Sequence, residues 1–176
     1  MRVQLKGSII ARCSGCASIA QLPPSAGLYE LAGPARTLFV EAALAWCAAC
    51  NALVYAEHLP SLDELNARWS IHERGMAAVR EHFNVENLDD DLLAASMAAR
   101  RRTLNVRLPW RRARQSPAKC LSCGSSDFTS FGLARGFGDG DQVSHPGCDG
   151  AFVLSRETTL RLHELPSYTP EGDRLY

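Results

Sequence analysis

The sequence has few of the features that hold a domain of its size together or place it in a membrane. Only 7% of its 176 residues are aromatic, and no uninterrupted apolar run approaches the ~18 residues of a membrane span. Its beginning, MRVQLKGSIIARC, has no apolar stretch followed by a cleavage site, the pattern of a secretory signal. We therefore expect a cytoplasmic protein without membrane contact, and one that needs a disulfide or metal staple.

The chain also lacks net charge, but this balance hides an uneven distribution. Residues 61–99 carry three basic and eight acidic side chains, whereas residues 100–119 carry eight basic and no acidic ones. The second stretch, RRRTLNVRLPWRRARQSPAK, is therefore a basic segment beside an acidic one. Guanidinium groups neutralise phosphates, so this segment is the candidate for contact with a nucleic acid.

Cysteine is the residue type with the clearest pattern. Six of the seven cysteines form three C-x-x-C pairs, CSGC, CAAC and CLSC, and the seventh closes the sequence HPGC. Intracellular thiols stay reduced, so paired cysteines indicate metal ligands before disulfides. A redox C-x-x-C pair usually opens a helix after a strand, and no pair here has that context. Buried thiol pairs are the other alternative.

The spacing predicts two tetrahedral zinc sites, because one tight turn directs both ligands of a pair at a single ion. Order along the chain assigns the first two pairs to one site: Cys13, Cys16, Cys47 and Cys50. The second site combines the third pair with HPGC, in which imidazole replaces one thiolate: Cys120, Cys123, His145 and Cys148. His163 is a weaker candidate for the fourth ligand of that site.

These paired turns resemble the zinc-ribbon and rubredoxin-like metal folds. The resemblance covers about 100 of the 176 residues, at 13/16 with 47/50 and at 120/123 with 145/148. It implies two zinc ions within small β-rich modules. It also leaves open rubredoxin-like iron at the all-cysteine site, which would imply electron transfer. The histidine in the other site favours zinc for both.

The periodicities predict an α+β fold in which helices join two small β-rich modules, and the resemblance implies that these modules are zinc-ribbon-like. The modules cover residues 1–60 and 118–165, the helical connector 61–117 includes the basic segment, and 166–176 form a loose tail. VEAALAWC before Cys47 is read as a strand, although its alanines also suit a helix. In the connector, Ser61 and Glu64 form a capping box, and a second helix is expected to start at an Asn87 cap.

Both predicted sites are filled by four protein ligands, and the sequence contains no H-E-x-x-H, deaminase, G-x-S-x-G or P-loop motif. We therefore expect no enzyme, but a zinc-binding adaptor or regulatory protein that docks on a protein partner. The alternative is a DNA- or RNA-binding zinc protein. A homodimer through the helices stays open. The candidate nucleic-acid contacts are Arg100, Arg101, Arg102, Arg107, Trp110, Arg111, Arg112 and Arg114.

Overall fold

The computed structural model describes residues 2–23, 27–31 and 37–175, with the backbone alone for residues 2–7, 135 and 158–164. It is an α+β protein, as the sequence predicts. The described strands are β1 Arg2–Cys13, β2 Ile19–Leu22, β3 Leu28–Glu30, β4 Thr37–Phe39, β5 Ala42–Cys47, β6 Ala52–Glu57, β7 Phe128–Leu133, β8 Gln142–Ser144, β9 Ala151–Glu164 and β10 Ser167–Tyr168. The described helices are α1 Leu62–Glu73, α2 Met76–Phe83 and α3 Asp90–Ala113.

The chain divides into two compact units. One unit, which we call the sheet unit, combines Met1–His58 with Ser116–Tyr176. The other, the helical unit, is Leu59–Gln115. The stretches that the sequence assigns to two separate β-rich modules therefore belong to one unit, and the predicted connector is a unit of its own.

Three small sheets make up the sheet unit. The first has the strand order β2-β1-β9-β8, the second β10-β3-β4 and the third β6-β5-β7. β1 and β9 are the long antiparallel pair, with a register shift between Lys6 and Ser8. The stretch before Cys47 is strand β5 at the centre of the third sheet, so the strand interpretation of its alanines is confirmed. Tertiary context overrides helix propensity here, because all six β5 residues are buried.

One hydrophobic core lies between the first and third sheets. It joins residues of β1, β8 and β9 to residues of β5 and β6, and its largest members are Trp46, Tyr55 and Phe152. The sequence holds few aromatics, yet three of them are concentrated at this contact. The core reaches the ends of β1, β5 and β9, where the cysteine-containing turns begin.

The helical unit differs in detail from the sequence prediction. Ser61 caps α1 with the reciprocal bonds to Glu64 that the sequence predicts. The stretch that follows Ser61 forms two helices, because Gly75, whose φ of +92° suits glycine, separates α1 from α2. The cap of α3 is Asp89 rather than Asn87, since its carboxylate accepts from two backbone amides. The helix then continues through the basic segment to Ala113.

The chain leaves and re-enters the sheet unit at one place. The amide of Glu57 donates to the carbonyl of Lys119 at 2.8 Å, and the Lys119 amide donates to the buried Glu57 carboxylate at 2.8 Å. The Tyr29 hydroxyl donates to the same carboxylate at 2.7 Å. Two hydrogen bonds thus satisfy this buried carboxylate, which would be costly without partners.

The C-terminal segment that the sequence predicts to be a loose tail is packed. β10 pairs in parallel with β3, and Tyr168 is buried with its ring edge toward Tyr29. None of the helices among the described residues combines the length and apolar character needed to cross a membrane.

Candidate metal centres

The eight predicted ligands gather into two groups of four, but the grouping differs from the predicted one. The histidine cluster consists of Cys13, Cys16, His145 and Cys148. The all-cysteine cluster consists of Cys47, Cys50, Cys120 and Cys123. The assignment by order along the chain, 13/16 with 47/50, is therefore wrong. Each group instead combines a turn from before the helical unit with one from after it.

Strand pairing explains why the two turns of the histidine cluster meet. Cys13 ends β1 opposite Phe152 of β9, and Ser144 ends β8 opposite Ala151 of β9. The β1–β2 turn and the β8–β9 turn therefore stand side by side on the same end of β9. The first carries Cys16, and the second carries His145 and Cys148.

The ligand atoms of the histidine cluster have the spacing of a tetrahedral site. The His145 Nδ1 lies 3.1 Å from the Cys148 Sγ, 3.2 Å from the Cys13 Sγ and 3.5 Å from the Cys16 Sγ. The two sulfurs of Cys13 and Cys148 are 3.4 Å apart. A tetrahedral zinc ion places sulfurs about 3.8 Å apart and sulfur and nitrogen about 3.6 Å apart. The distance to the Cys16 Sγ is close to the expected value, and the other three are about 0.4–0.5 Å shorter.

Aromatic side chains fix the imidazole of His145 in this orientation. Its centroid lies 4.5 Å from the Phe152 ring and 4.9 Å from the Trp46 ring. On the opposite edge, a Cβ at Gly147 would stand 3.0 Å from the Nε2, so this position leaves little room for a side chain. The ring is buried, and its Nδ1 faces the three sulfurs.

Two glycines allow the turns of the histidine cluster to touch backbone to backbone. A Cβ at Gly150 would lie 2.7 Å from the Cα of Gly15 and 3.0 Å from the Cys13 Sγ. A Cβ at Gly15 would lie 2.9 Å from the Cα of Gly150. Real Cβ atoms are not found so close, so both positions require glycine. Each glycine amide also points at a sulfur, Gly15 toward Cys13 at 3.4 Å and Gly150 toward Cys148 at 3.3 Å.

The all-cysteine cluster is assembled beside the third sheet. Cys47 ends β5, and Cys50 lies in the turn that leads to β6. Cys120 forms a β-bridge with Ala56 of β6, which holds the other turn alongside. The Cys47 and Cys123 sulfurs are 3.6 Å apart, and those of Cys50 and Cys120 are 3.8 Å apart. Both distances match a tetrahedral thiolate site.

All four ligand turns close in the same way, between the first ligand and the residue five positions later. The amides of Cys13, Cys120 and His145 donate to the carbonyls of Ser18, Ser125 and Gly150 at 2.7–3.1 Å. Cys47 is likewise paired with Ala52 across the β5–β6 hairpin. One turn geometry thus serves all four ligand pairs.

The two turns of the all-cysteine cluster share a further feature. Asn51 and Gly124, which directly follow the second ligand, have positive φ angles of 49° and 76°. Ala17 and Asp149, at the matching positions of the histidine cluster, do not have positive φ. Glycine and asparagine are the residues that adopt this conformation most readily. The residue after the second ligand therefore distinguishes the two clusters.

Burial opposes ionisation of the all-cysteine cluster when no cation is present. Desolvation, followed by the neighbouring thiols, raises the pKa of Cys50 far above its usual range, and desolvation raises the pKa of Cys120. Only Cys123 is exposed, and the backbone amide of Ser125 is the main factor that lowers its pKa to about 7. A cation at the centre reverses this balance, because metal-bound thiols are deprotonated.

The histidine cluster is easier to ionise at its exposed member. Hydrogen bonds from the hydroxyl and then the amide of Ser18 lower the pKa of Cys16 to about 6. For Cys148 the Gly150 amide lowers the pKa, but the adjacent Cys13 thiol and burial outweigh it, so that this pKa is raised. The histidine cluster therefore has one thiol with a raised pKa, and the all-cysteine cluster has two.

Both clusters fit a four-coordinate metal ion. Each offers four soft or borderline ligand atoms within 4.8 Å of one another, and all seven cysteines are free of disulfides. Thiolate and imidazole ligands in this number are typical of structural zinc sites. Four protein ligands fill a tetrahedron, so neither cluster keeps a position for a water ligand.

The predicted nucleic-acid contacts lie on or next to α3 and differ in exposure. Four are exposed, namely Arg100, Arg101, Arg102 and Arg112, and Arg111 is partly buried. Arg107, Trp110 and Arg114 are buried. The Trp110 ring is only 6% exposed, so it is not presented for stacking on a base.

Several of these arginines have partners inside the helical unit. Arg100 lies over the Phe83 ring at 4.7 Å from its centroid, and Arg101 donates to the His72 carbonyl. The Arg111 Nε donates to the Pro60 carbonyl at 3.0 Å.

Sequence reasoning missed the residues that support the ligands. Trp46 and Phe152 appear in the sequence only as hydrophobic strand residues, so no local signal connects them to His145. The contact of Gly15 with Gly150 joins positions 135 residues apart, and spacing along the chain cannot reveal it. Asn51 and Gly124 were a usable signal, because both favour a positive φ after the second ligand.

No protein-family model, no curated protein and no solved structure matches this chain.

Proposed function

We propose that this chain is a non-catalytic zinc-binding interaction protein in which two structural zinc ions hold the sheet unit together. The observation that supports this most directly is that two sets of four cysteine and histidine ligand atoms converge at tetrahedral spacing. Such closed sites contribute folding free energy and leave no coordination position for a substrate.

The ions would act as clasps between distant parts of the chain. In the histidine cluster the two sulfurs of closest approach, Cys13 and Cys148, are 135 residues apart in sequence. In the all-cysteine cluster, Cys47 and Cys123 are 76 residues apart. Each ion would thus join a strand end that precedes the helical unit to a turn that follows it.

Zinc accounts for both clusters with one metal. Three thiolates with one imidazole, and four thiolates, are both ligand sets of structural zinc. Iron in a rubredoxin-like site uses four thiolates, so it would suit only the all-cysteine cluster. A redox-active ion would also give the protein visible absorbance, which separates the two assignments.

Elemental mass spectrometry of the purified full-length chain tests the metal assignment. We expect two zinc ions per chain and no iron. Cys148→Ser and Cys120→Ser should each reduce this to one, and the double variant should bind none. The double variant Cys16→Ser/Cys148→Ser should still hold one ion, because both ligands belong to one cluster. Loss of both ions from that variant would contradict the grouping.

Docking on a protein partner is the proposed role of the exposed apolar side chains. Ile19 of β2 is 60% exposed, which is a large fraction for an isoleucine. We expect a purified partner identified by co-purification to lose affinity about tenfold for Ile19→Asp. Thr129→Asp, at an exposed polar position of β7 in the third sheet, serves as the control.

Nucleic-acid binding is the second candidate, and the three consecutive exposed arginines Arg100, Arg101 and Arg102 favour it. Phosphate contacts release counterions, so affinity for DNA or RNA must fall steeply with salt. We would measure binding to single- and double-stranded oligonucleotides between about 50 and 200 mM salt. Binding that is absent or insensitive to salt eliminates this candidate and leaves the first unaffected.

A further inference from the structure

Helix α3 has two different long faces. One face is buried and includes Leu93, Met97 and Leu104, of which the first two join Ile71 and Val79 in a hydrophobic cluster. The opposite face is exposed. We call it the outer stripe, and its members recur at intervals of three and four residues: Leu92, Ala95 and Ala99.

The outer stripe is apolar where a solvated helix would be polar. Leu92 is 62% exposed, and the following two stripe positions are alanines. Intervals of three and four residues place side chains on one side of a helix, which is the pattern of a helix–helix contact. The alanines at 95 and 99 would allow a second helix to approach closely.

The charges beside the outer stripe are complementary to each other when two copies of the helix run antiparallel. Asp91 precedes the alanines and Arg102 follows them, and both side chains are exposed. These two positions are eleven residues apart, or about three helical turns, so they lie on the same side of the stripe. When two copies of the helix run antiparallel, each Asp91 therefore opposes an Arg102. A parallel arrangement would place like charges together.

We propose that the outer stripe is the surface through which two copies of this chain associate, as an antiparallel pair of α3 helices. The two-fold axis passes midway between positions 91 and 102. Leu92 of each copy then lies at the level of Arg101 of the other, between Ala99 and Arg102, and each Ala95 lies opposite Ala98 near the axis. Such an isologous contact uses one patch twice and closes on itself. It does not depend on the zinc assignment.

The contact is small, so the association between the two copies should be weak. The stretch 89–102 is about 20 Å long, so the pair buries less than the ~1,200 Å² of a standard interface. We therefore expect a weak, concentration-dependent dimer with a dissociation constant on the order of 10 μM.

Analytical ultracentrifugation of the metal-bound, full-length chain tests this inference. Across about 1–200 μM, bracketing the expected dissociation constant, the wild-type protein should pass from monomer to dimer. Leu92→Arg should remain monomeric, because it removes the leucine from the contact and places a positive charge beside Arg102 of the other copy. Arg112→Asp reverses an exposed charge of α3 outside the overlap and should dimerise as the wild type does. A wild-type protein that stays monomeric overturns the proposal.

Charge exchange tests the antiparallel geometry itself. Asp91→Arg and Arg102→Asp should each weaken self-association about tenfold or more, since both reciprocal pairs become repulsive. An equimolar mixture of these two variants should form a heterodimer, because every pair is then attractive again. The Asp91→Arg/Arg102→Asp double variant should recover the homodimer. Dimerisation that ignores these changes, or a mixture that stays monomeric, contradicts the geometry.

Two controls separate this inference from a folding effect and from the zinc proposal. Far-UV circular dichroism should show unchanged helix content in every variant, and Asp91→Glu should behave as the wild type. Zinc content should stay at two ions per chain throughout. A dimer without zinc would refute the metal assignment alone. A monomer with two zinc ions would refute the proposed self-association alone.

Discussion

The histidine cluster and the all-cysteine cluster are built from the same turn but are held in different ways. In the histidine cluster, Gly15 and Gly150 let two backbones touch, and aromatic rings fix the imidazole. In the all-cysteine cluster, strand pairing on both sides of β5 and β6 carries the ligands, and left-handed residues complete the turns. Strand pairing thus brings the turns together in both sites, and the histidine cluster adds a direct backbone contact between its two turns.

Removal of both metal ions should have the largest effect on the stability of the sheet unit. We expect a strong chelator to abolish the cooperative thermal unfolding of the sheet unit, because folding and metal binding share their free energy. The far-UV circular dichroism should lose strand signal and retain helix signal, since the ligands all belong to the sheet unit. A chelated protein with the same melting curve would show that core packing alone suffices.

A methyl group at Gly150 should disable one cluster and spare the other. In Gly150→Ala the new Cβ would meet the Gly15 backbone, so the two turns must separate. We expect a loss of about 2–3 kcal/mol in unfolding free energy and of one metal ion per chain. Gly136→Ala is the matched control, because no atom lies within 4 Å of its Cβ position. Two ions retained by Gly150→Ala would contradict the close contact.

As pH falls, the metal affinity of the all-cysteine cluster should decrease more steeply than that of the histidine cluster. Its four thiols must lose their protons to bind metal, and two of them have a raised pKa. The histidine cluster has three thiols, one of them raised, and the pKa of Cys16 is about 6. Thiols that are protonated without metal release their protons on binding, so metal affinity rises with pH and is lost as pH falls.

Single-cluster variants make this pH comparison measurable. Cys148→Ser leaves only the all-cysteine cluster complete, and Cys123→Ser leaves only the histidine cluster. We would titrate both with zinc against a chromophoric chelator between about pH 6 and pH 8. The logarithm of affinity should rise more steeply with pH for Cys148→Ser. Equal slopes would mean that the two clusters release the same number of protons.

The smallest expected effect concerns Asn51. Its φ of 49° is tolerated by asparagine and favoured by glycine, but it is strained for a β-branched residue. Asn51→Val should lower the unfolding free energy by about 1–2 kcal/mol, and Asn51→Gly should change it by less than about 0.5 kcal/mol. Ala17→Val, at the matching position of the histidine cluster, should cost less than Asn51→Val in the same denaturant titration. Equal costs would remove this distinction between the clusters.

The sequence predicts the ligand types well because their spacing is local. Two residues between ligands set a turn, and four such turns can be identified without any tertiary information. The partner of each turn is decided by the register of β1 against β9 and of β5 against β7, which no local pattern encodes. The capping box at Ser61 is local and is confirmed. Asn87 and Asp89 are both suitable N-cap residues and lie two positions apart, so propensity does not decide between them.

The reciprocal bonds between Glu57 and Lys119 have a consequence for how this chain can vary. They bring the two ends of a 61-residue excursion, positions 58 to 118, to adjacent points of one sheet edge. Whatever occupies that excursion needs only ends that lie side by side. The helical unit can therefore vary in length and sequence without any change in the strand pairing of the sheet unit.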